Sequence, residues 1–254
     1  MDRKLFYKYM AGTGELDYEL YLDTPKILSA QKAYDALCNH DEMLFQIVHQ
    51  VEELWMKLAA FTLLEIDDWM AKKQAFRVIT LFERVNRIIR LMTEQLGLLE
   101  TMSPKEYQEI RLQLGNGSGQ ESPGFRTILK MPRHIWDSFQ KHFLEARNLT
   151  IADIYDHKYT HDDVYMVAEA LAEFDEQFRK FRYHHIQLIY RSIGMDAASL
   201  KGRSVELLRD GVRTQFFPEL WKVRHEMTDR WGVSYGIVRN SIGGTKKEKP
   251  STSN

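Results

Sequence analysis

Long stretches of the 254-residue chain repeat apolar residues every three or four positions, the spacing of one face of an α-helix. The clearest stretches cover about residues 41–70, 75–99 and 163–193. The six prolines and fourteen glycines cluster between the helical stretches. No run alternates polar and apolar residues over more than a few positions, so we expect few strands. The pattern predicts an all-α fold.

Shorter segments complete the predicted domain organisation. A helix capped by Ser103 and begun by Pro104 is followed by helical segments at about 133–146 and 203–230. Neither an internal repeat nor a disordered linker interrupts residues 16–235. We therefore expect one helical bundle domain over residues 16–240, with an N-terminal extension over 1–15 and a disordered tail over 241–254.

Charge and composition exclude several classes of partner. The 35 Lys and Arg residues nearly cancel the 36 Asp and Glu residues, so no overall positive field would recruit nucleic acid or anionic lipid. No apolar run is long enough for a membrane span, and the N-terminus lacks a signal-peptide core. Cys38 is the only cysteine, which rules out an intrachain disulfide. We expect a cytoplasmic protein that binds neither nucleic acid nor membrane.

His185 stands where the helical pattern calls for an apolar residue. From Leu171 onward the apolar positions step by three and four, and His185 falls between Phe181 and Leu188 in that series. The commoner explanation of such a residue is a core histidine whose ring nitrogen is hydrogen-bonded. The alternative is an axial ligand to a metal or heme, because neutral imidazole is a common metal ligand.

Two further features admit both a structural and a functional interpretation. His49 lies one step off the apolar stripe of the 41–70 stretch, where it can pair with Glu52 or Glu53 or face a pocket from the rim of the core. The glycine-rich run 115–124 lacks the features of a phosphate-binding loop. It is either a plain helix–helix connection or a loop that approaches a ligand closely.

Ordered motifs over about residues 16–225 resemble the tryptophan 2,3-dioxygenase family and the wider superfamily of heme-dependent aromatic oxygenases. The motifs are His40-Asp41-Glu42-Met43-Leu44-Phe45, Val48-His49-Gln50, Glu53-Leu54-Trp55, Leu99-Glu100-Thr101-Met102-Ser103-Pro104, Arg111, Ser118-Gly119, Ser122, Phe125-Arg126 and Arg182-Tyr183-His184-His185. The resemblance implies an all-helical enzyme with heme b, usually a homotetramer. It also implies that His185 is the proximal iron ligand, that His49 hydrogen-bonds the indole N–H, and that Ser118 lies near the distal heme face.

The resemblance also implies a substrate site. Phe45 and Tyr107 would line it, and Arg111 would hold the carboxylate of an aromatic amino acid through paired hydrogen bonds. Tyr18 and Tyr21 match aromatic residues of a segment that reaches into a neighbouring subunit's site.

Two loops depart from the family pattern. Ser-Gly-Phe-Gln-Ser is replaced by Ser118-Gly119-Gln120-Glu121-Ser122, and an ungapped count places Ala198-Ser199-Leu200-Lys201 where the family has Gly-Thr-Gly-Gly. Ser199 keeps a hydroxyl that can contact the substrate. The resemblance implies O2-dependent oxidation of the indole ring of L-tryptophan or a substituted tryptophan. A single-oxygen hydroxylase acting on tyrosine or a substituted indole, a non-catalytic heme-binding protein and a helical scaffold without cofactor remain the alternatives.

Overall fold

The computed structural model describes residues 1–115, 117, 119–156, 161–195 and 211–231, and every regular element in that part is helical. The predicted all-α fold is confirmed. The α-helices are α1 (Arg3–Ala11), α2 (Asp17–Leu22), α3 (Thr24–Leu28), α4 (Asp41–Ala71), α5 (Ala75–Leu99), α6 (Pro104–Gln113), α7 (Pro123–Ile128), α8 (Met131–Phe139), α9 (Ile151–Tyr155), α10 (Asp163–Ile193) and α11 (Pro218–Trp231).

Helices α4, α5 and α10 form the centre of the fold. Helix α5 packs against both α4 and α10, and their apolar faces supply most of the buried core, while α7 and α8 pack on α4. The ends of α10 lie where the sequence predicts them. The side chain of Asp162 accepts a hydrogen bond from the Tyr165 amide, and Gly194, with φ of 89°, ends the helix in a conformation that glycine adopts easily.

Helix α5 ends at Leu99, as the sequence predicts, but a later segment differs from its prediction. The segment expected to be one helix over 133–146 is α8, a π-helical turn (Gln140–Leu144) and a 3₁₀ turn (Glu145–Arg147). The extra residue of the π-helical turn keeps both Phe143 and Leu144 in the core.

One buried carboxylate joins α10 to the chain that follows it. Asp175 is 0% exposed. Its Oδ2 accepts hydrogen bonds from the Phe216 amide at 3.0 Å, the Phe217 amide at 3.3 Å and Nε1 of Trp221 at 2.7 Å. The guanidinium of Arg179 lies 3.6 Å from Oδ1. The charged oxygen thus fixes the start of α11 on the same helix that carries His185.

The N-terminal helices lie outside the core. Residues 3–11 of the expected extension form α1, and α1, α2 and α3 contain no buried residue. Several large apolar side chains there are exposed, among them Tyr9, Leu16 and Leu20. The expected tail over 241–254 lies outside the described residues. In the described part, no helix combines the length and the apolar character needed to cross a membrane.

Candidate active site

A cavity of about 310 Å³ between α4, α7 and α10 brings together both histidines that the sequence singles out. His49 enters from α4 and His185 from α10, although 135 residues separate them along the chain. The described residues of the wall are His49, Glu52, Glu53, Met56, Gly119, Ser122, Phe125, Leu129, Phe181, Arg182, His185, Ile186 and Gly211.

His185 is a neutral imidazole at the cavity wall. Its ring lies nearly parallel to that of Phe181, one helical turn earlier, with centroids 6.4 Å apart and planes 9° from parallel. Burial, together with the nearby His49, lowers the pKa of His185 to about 4. At neutral pH the ring therefore has a nitrogen lone pair. A side chain at Gly119 would begin 3.7 Å from Cε1 of His185, so the glycine leaves the space beside the imidazole open.

The tautomer of His49 follows from its hydrogen bond. Nδ1 lies 2.7 Å from the Phe45 carbonyl oxygen, and because a carbonyl can only accept, Nδ1 carries the proton. Burial lowers the pKa of His49, while this bond and the charge of Glu53 act in the opposite direction. The ring is therefore neutral and Nε2 is an acceptor. The partner of Nδ1 is a backbone carbonyl, not either of the two glutamates considered from the sequence.

Phe45, Tyr107 and Arg111 form an aromatic and cationic group beside His49. The ring centroids of Phe45 and His49 lie 4.1 Å apart, and those of Phe45 and Tyr107 lie 6.3 Å apart. Burial raises the pKa of Tyr107, and the positive charge of Arg111 opposes that rise, which places Arg111 near the phenol. Helices α4 and α6 thus bring together four of the side chains expected in the site.

A model of the tryptophan 2,3-dioxygenase family matches residues 8–131. A tryptophan 2,3-dioxygenase from Myxococcus xanthus is 30% identical, over 85% of this chain and 91% of the relative. The chain belongs to the tryptophan 2,3-dioxygenase family. A family member from Arthrobacter is 28% identical over 85% of this chain and 93% of its own length, and one from Serratia proteamaculans is 29% identical over 84% and 93%.

The residues of the cavity fit the heme that family membership implies. His185 provides an unprotonated nitrogen, and Phe125, Phe181 and Ile186 provide apolar wall that suits the faces of a porphyrin. Arg182 lies on the same wall. Burial lowers the pKa of Arg182, and the charge of Asp175 opposes this effect. Its guanidinium provides a cation that can pair with an acidic group at the edge of the cofactor.

The other four residues implied by the family resemblance lie either outside the described residues or away from the cavity. Ser118 and Ser199 lie outside the described residues. Tyr18 and Tyr21, on α2, are 72% and 89% exposed and do not line the cavity. Glu121, which belongs to the altered loop, is exposed and does not line the cavity either.

Sequence reasoning missed the position of Glu52. It was considered only as a partner for His49, but it lines the cavity itself, is 7% exposed and has an Oε1 atom without a hydrogen-bond partner. Glu52 follows His49 by three residues, so both lie on one side of α4. This spacing could have predicted that Glu52 shares the cavity with His49.

Gly124 allows α7 to approach α4 closely. Its amide donates to Oε2 of Glu53 at 3.0 Å. A Cβ atom at residue 124 would lie 2.7 Å from the Cβ of Met56, closer than two carbon atoms tolerate. Since Glu53 and Met56 both line the cavity, this contact fixes one of its walls.

Proposed function

We propose that this protein is a heme-dependent oxygenase that inserts both atoms of O2 into the indole ring of L-tryptophan or a substituted tryptophan. The observation that carries the proposal is the pair of neutral imidazoles, His49 and His185, at one cavity beside Phe45, Tyr107 and Arg111. The name tryptophan 2,3-dioxygenase, carried by relatives that match over most of their length, supports the same reaction.

His185 would hold the heme iron through its unprotonated ring nitrogen. The ring of Phe181 lies nearly parallel to the imidazole on the same wall, and Arg182 would pair with an acidic group of the cofactor. Bound heme supplies the chemistry that activates O2 for insertion into an aromatic ring. The protein contributes an apolar cavity wall and polar side chains that orient the substrate.

His49 would orient the substrate ring. Because Nδ1 donates to the Phe45 carbonyl, Nε2 can accept a hydrogen bond from the indole N–H. Phe45 and Tyr107 would pack against the indole and exclude water. Arg111 would bind the substrate carboxylate with two parallel N–H···O bonds, which fix the direction of the amino acid as well as its position.

Four further residues would complete the site. Ser118 would lie near the distal face of the cofactor, and the hydroxyl of Ser199 would contact the amino acid end of the substrate. Tyr18 and Tyr21 would enter the site of a neighbouring subunit. Their exposure on α2 supports this role, because both rings are accessible to another subunit.

We further propose that the protein is a cytoplasmic homotetramer. The exposed apolar side chains of α1, α2 and α3 support self-association, since no residue of these helices is fully buried within its own chain. The near balance of acidic and basic residues is compatible with the cytoplasm.

The test of the oxygenase is a titration of the reduced protein, kept free of O2, with L-tryptophan, L-tyrosine and substituted indoles while the heme spectrum is recorded. We expect L-tryptophan or a substituted tryptophan to perturb the heme spectrum. When O2 is then admitted, we expect the bound compound to be converted to a ring-opened product that contains both oxygen atoms. A spectrum that responds to none of these compounds would overturn the proposal.

The ligand assignment has a matched control in the adjacent histidine. His185→Ala should abolish stable heme incorporation, whereas His184→Ala should retain it, because His184 points toward Glu100 at 3.5 Å and is half exposed. Heme that is retained with an unchanged spectrum in His185→Ala would contradict the assignment.

A further inference from the structure

A second cleft, of about 440 Å³, lies between α5, α10 and α11 and does not belong to the candidate active site. Its apolar wall includes Ile79, Met166, Ala170 and Trp221. None of its residues lines the cavity that contains His49 and His185. The cleft therefore requires an explanation of its own.

The wall of the cleft is acidic. Glu83 lies on α5, and Glu169, Glu173 and Glu176 lie on α10. Among the described residues of the wall, the only cation is Arg224, which is paired with Glu169. The field inside the cleft thus favours a positively charged occupant.

The basic partners of the other carboxylates face away from the cleft. Glu83 pairs with Arg87, Glu173 with Arg90 at 2.8 Å, and Glu176 with Lys180 at 2.6 Å. These three cations line a neighbouring groove between α5 and α10 instead of the cleft. All three ion pairs are substantially exposed, so each holds its carboxylate only weakly.

A buried amide without a partner lies in the same cleft. Asn86 is 1% exposed, lines the cleft from α5, and its Oδ1 has no hydrogen-bond partner. A buried carbonyl oxygen left unpaired is costly, and rotation of the amide can present the oxygen to an occupant. A hydrogen-bond donor bound in the cleft can pair with this oxygen.

The spacing of the carboxylates defines the occupant further. Glu169, Glu173 and Glu176 share one face of α10. With a rise of 1.5 Å per residue, Glu173 lies about 6 Å and Glu176 about 10 Å from Glu169 along the helix axis. Apolar side chains lie between the charged ends. We propose that this cleft binds a linear alkyl diamine or triamine, whose ammonium groups contact the α10 carboxylates and donate to Asn86.

The test is calorimetric titration of the full-length, heme-loaded protein with 1,4-diaminobutane, with the neutral 1,4-butanediol as the matched ligand. We expect saturable binding of the diamine, weakened by added salt, and none of the diol. Glu173→Gln/Glu176→Gln should weaken diamine binding by about ten-fold, the effect of two exposed charge pairs. Glu94→Gln/Glu100→Gln, which removes two carboxylates from the neighbouring groove, should leave it unchanged.

Asn86→Leu provides an independent variant. Removing an unpartnered buried amide should preserve the fold, and we expect binding to weaken by about five-fold, the effect of one lost hydrogen bond. Absence of saturable diamine binding, equal binding of the diol, equal losses in the two glutamine double variants, or unchanged affinity in Asn86→Leu would each overturn the proposal.

Discussion

Glu52 should make the cofactor-free protein less stable as the pH rises. Burial and the charge of Glu53 raise the pKa of Glu52 to about 7, against the opposing effect of the Gln95 amide. Gln95 nevertheless leaves Oε1 of Glu52 without a hydrogen bond of acceptable geometry, and its own Nε2 is unpartnered. The carboxylate form is therefore poorly accommodated, and Glu52→Gln should remove the penalty.

The magnitude follows from the difference between the folded and unfolded states. The unfolded carboxyl group ionises near pH 4.5 and the folded one near pH 7. Below pH 4.5 both states are protonated and Glu52 costs nothing. Between these pH values the unfolded state loses its proton first, so unfolding becomes easier, and at about 1.4 kcal/mol per pH unit the full cost is about 3 kcal/mol above pH 7.

The assay is urea denaturation of wild type and Glu52→Gln at several pH values between 4.5 and 8.5. We expect the free energies of unfolding to be similar at pH 4.5, and the variant to be more stable by about 3 kcal/mol at pH 8. Glu94→Gln, an exposed substitution on α5, controls for the loss of one negative charge. A difference that does not change with pH, or that grows toward low pH, would refute the reasoning.

Four further substitutions test the fold. Gly124→Ala should lower the free energy of unfolding by about 1–3 kcal/mol because its Cβ would lie 2.7 Å from that of Met56. Gly97→Ala, with no neighbour within 4 Å inside α5, should raise it by about 0.5–1 kcal/mol, and equal effects in urea denaturation would contradict the close-contact argument. Asp175→Asn should cost about 2 kcal/mol, measured in the same way, because three N–H groups lose a charged acceptor, and a neutral result would contradict that role. Burial alone would raise the pKa of Glu42, but hydrogen bonds from Lys32 and the Cys38 amide lower it below its ordinary value. Glu42→Gln should therefore destabilise the protein above pH 4.5 and progressively less as the pH falls. Thermal melts at pH 7 and pH 3.5 would check this order.

The helices of the core are predictable from the sequence because their signals are local. Periodic apolar residues mark α4, α5 and α10, and Ser103, Asp162 and Gly194 mark ends that the structure confirms. The π-helical turn at Gln140–Leu144 has no such signal, since packing of the neighbouring helices selects it. Helix α1 was missed because its apolar side chains make no buried face.

The site is less accessible to sequence reasoning, because its residues meet only through tertiary packing. Periodicity marks His185 as unusual on α10, but it does not show which residues of α4 lie near His185. Only the family resemblance paired His185 with His49. The structure brings the two together at one cavity. All the assigned roles stay predictions, those of His185, His49, Phe45, Tyr107, Arg111, Ser118, Ser199, Tyr18 and Tyr21 alike.

The hydrogen bond from His49 to the Phe45 carbonyl has a consequence for how the site can change during evolution. In many proteins a second side chain selects the histidine tautomer, and a single mutation of that partner can reverse it. Here the partner is a main-chain atom four residues earlier in the same helix, present whatever residue occupies position 45. The choice of Nε2 as the acceptor nitrogen of His49 is thus inherited with the helix. The pocket around it can accumulate substitutions without losing this hydrogen-bond acceptor.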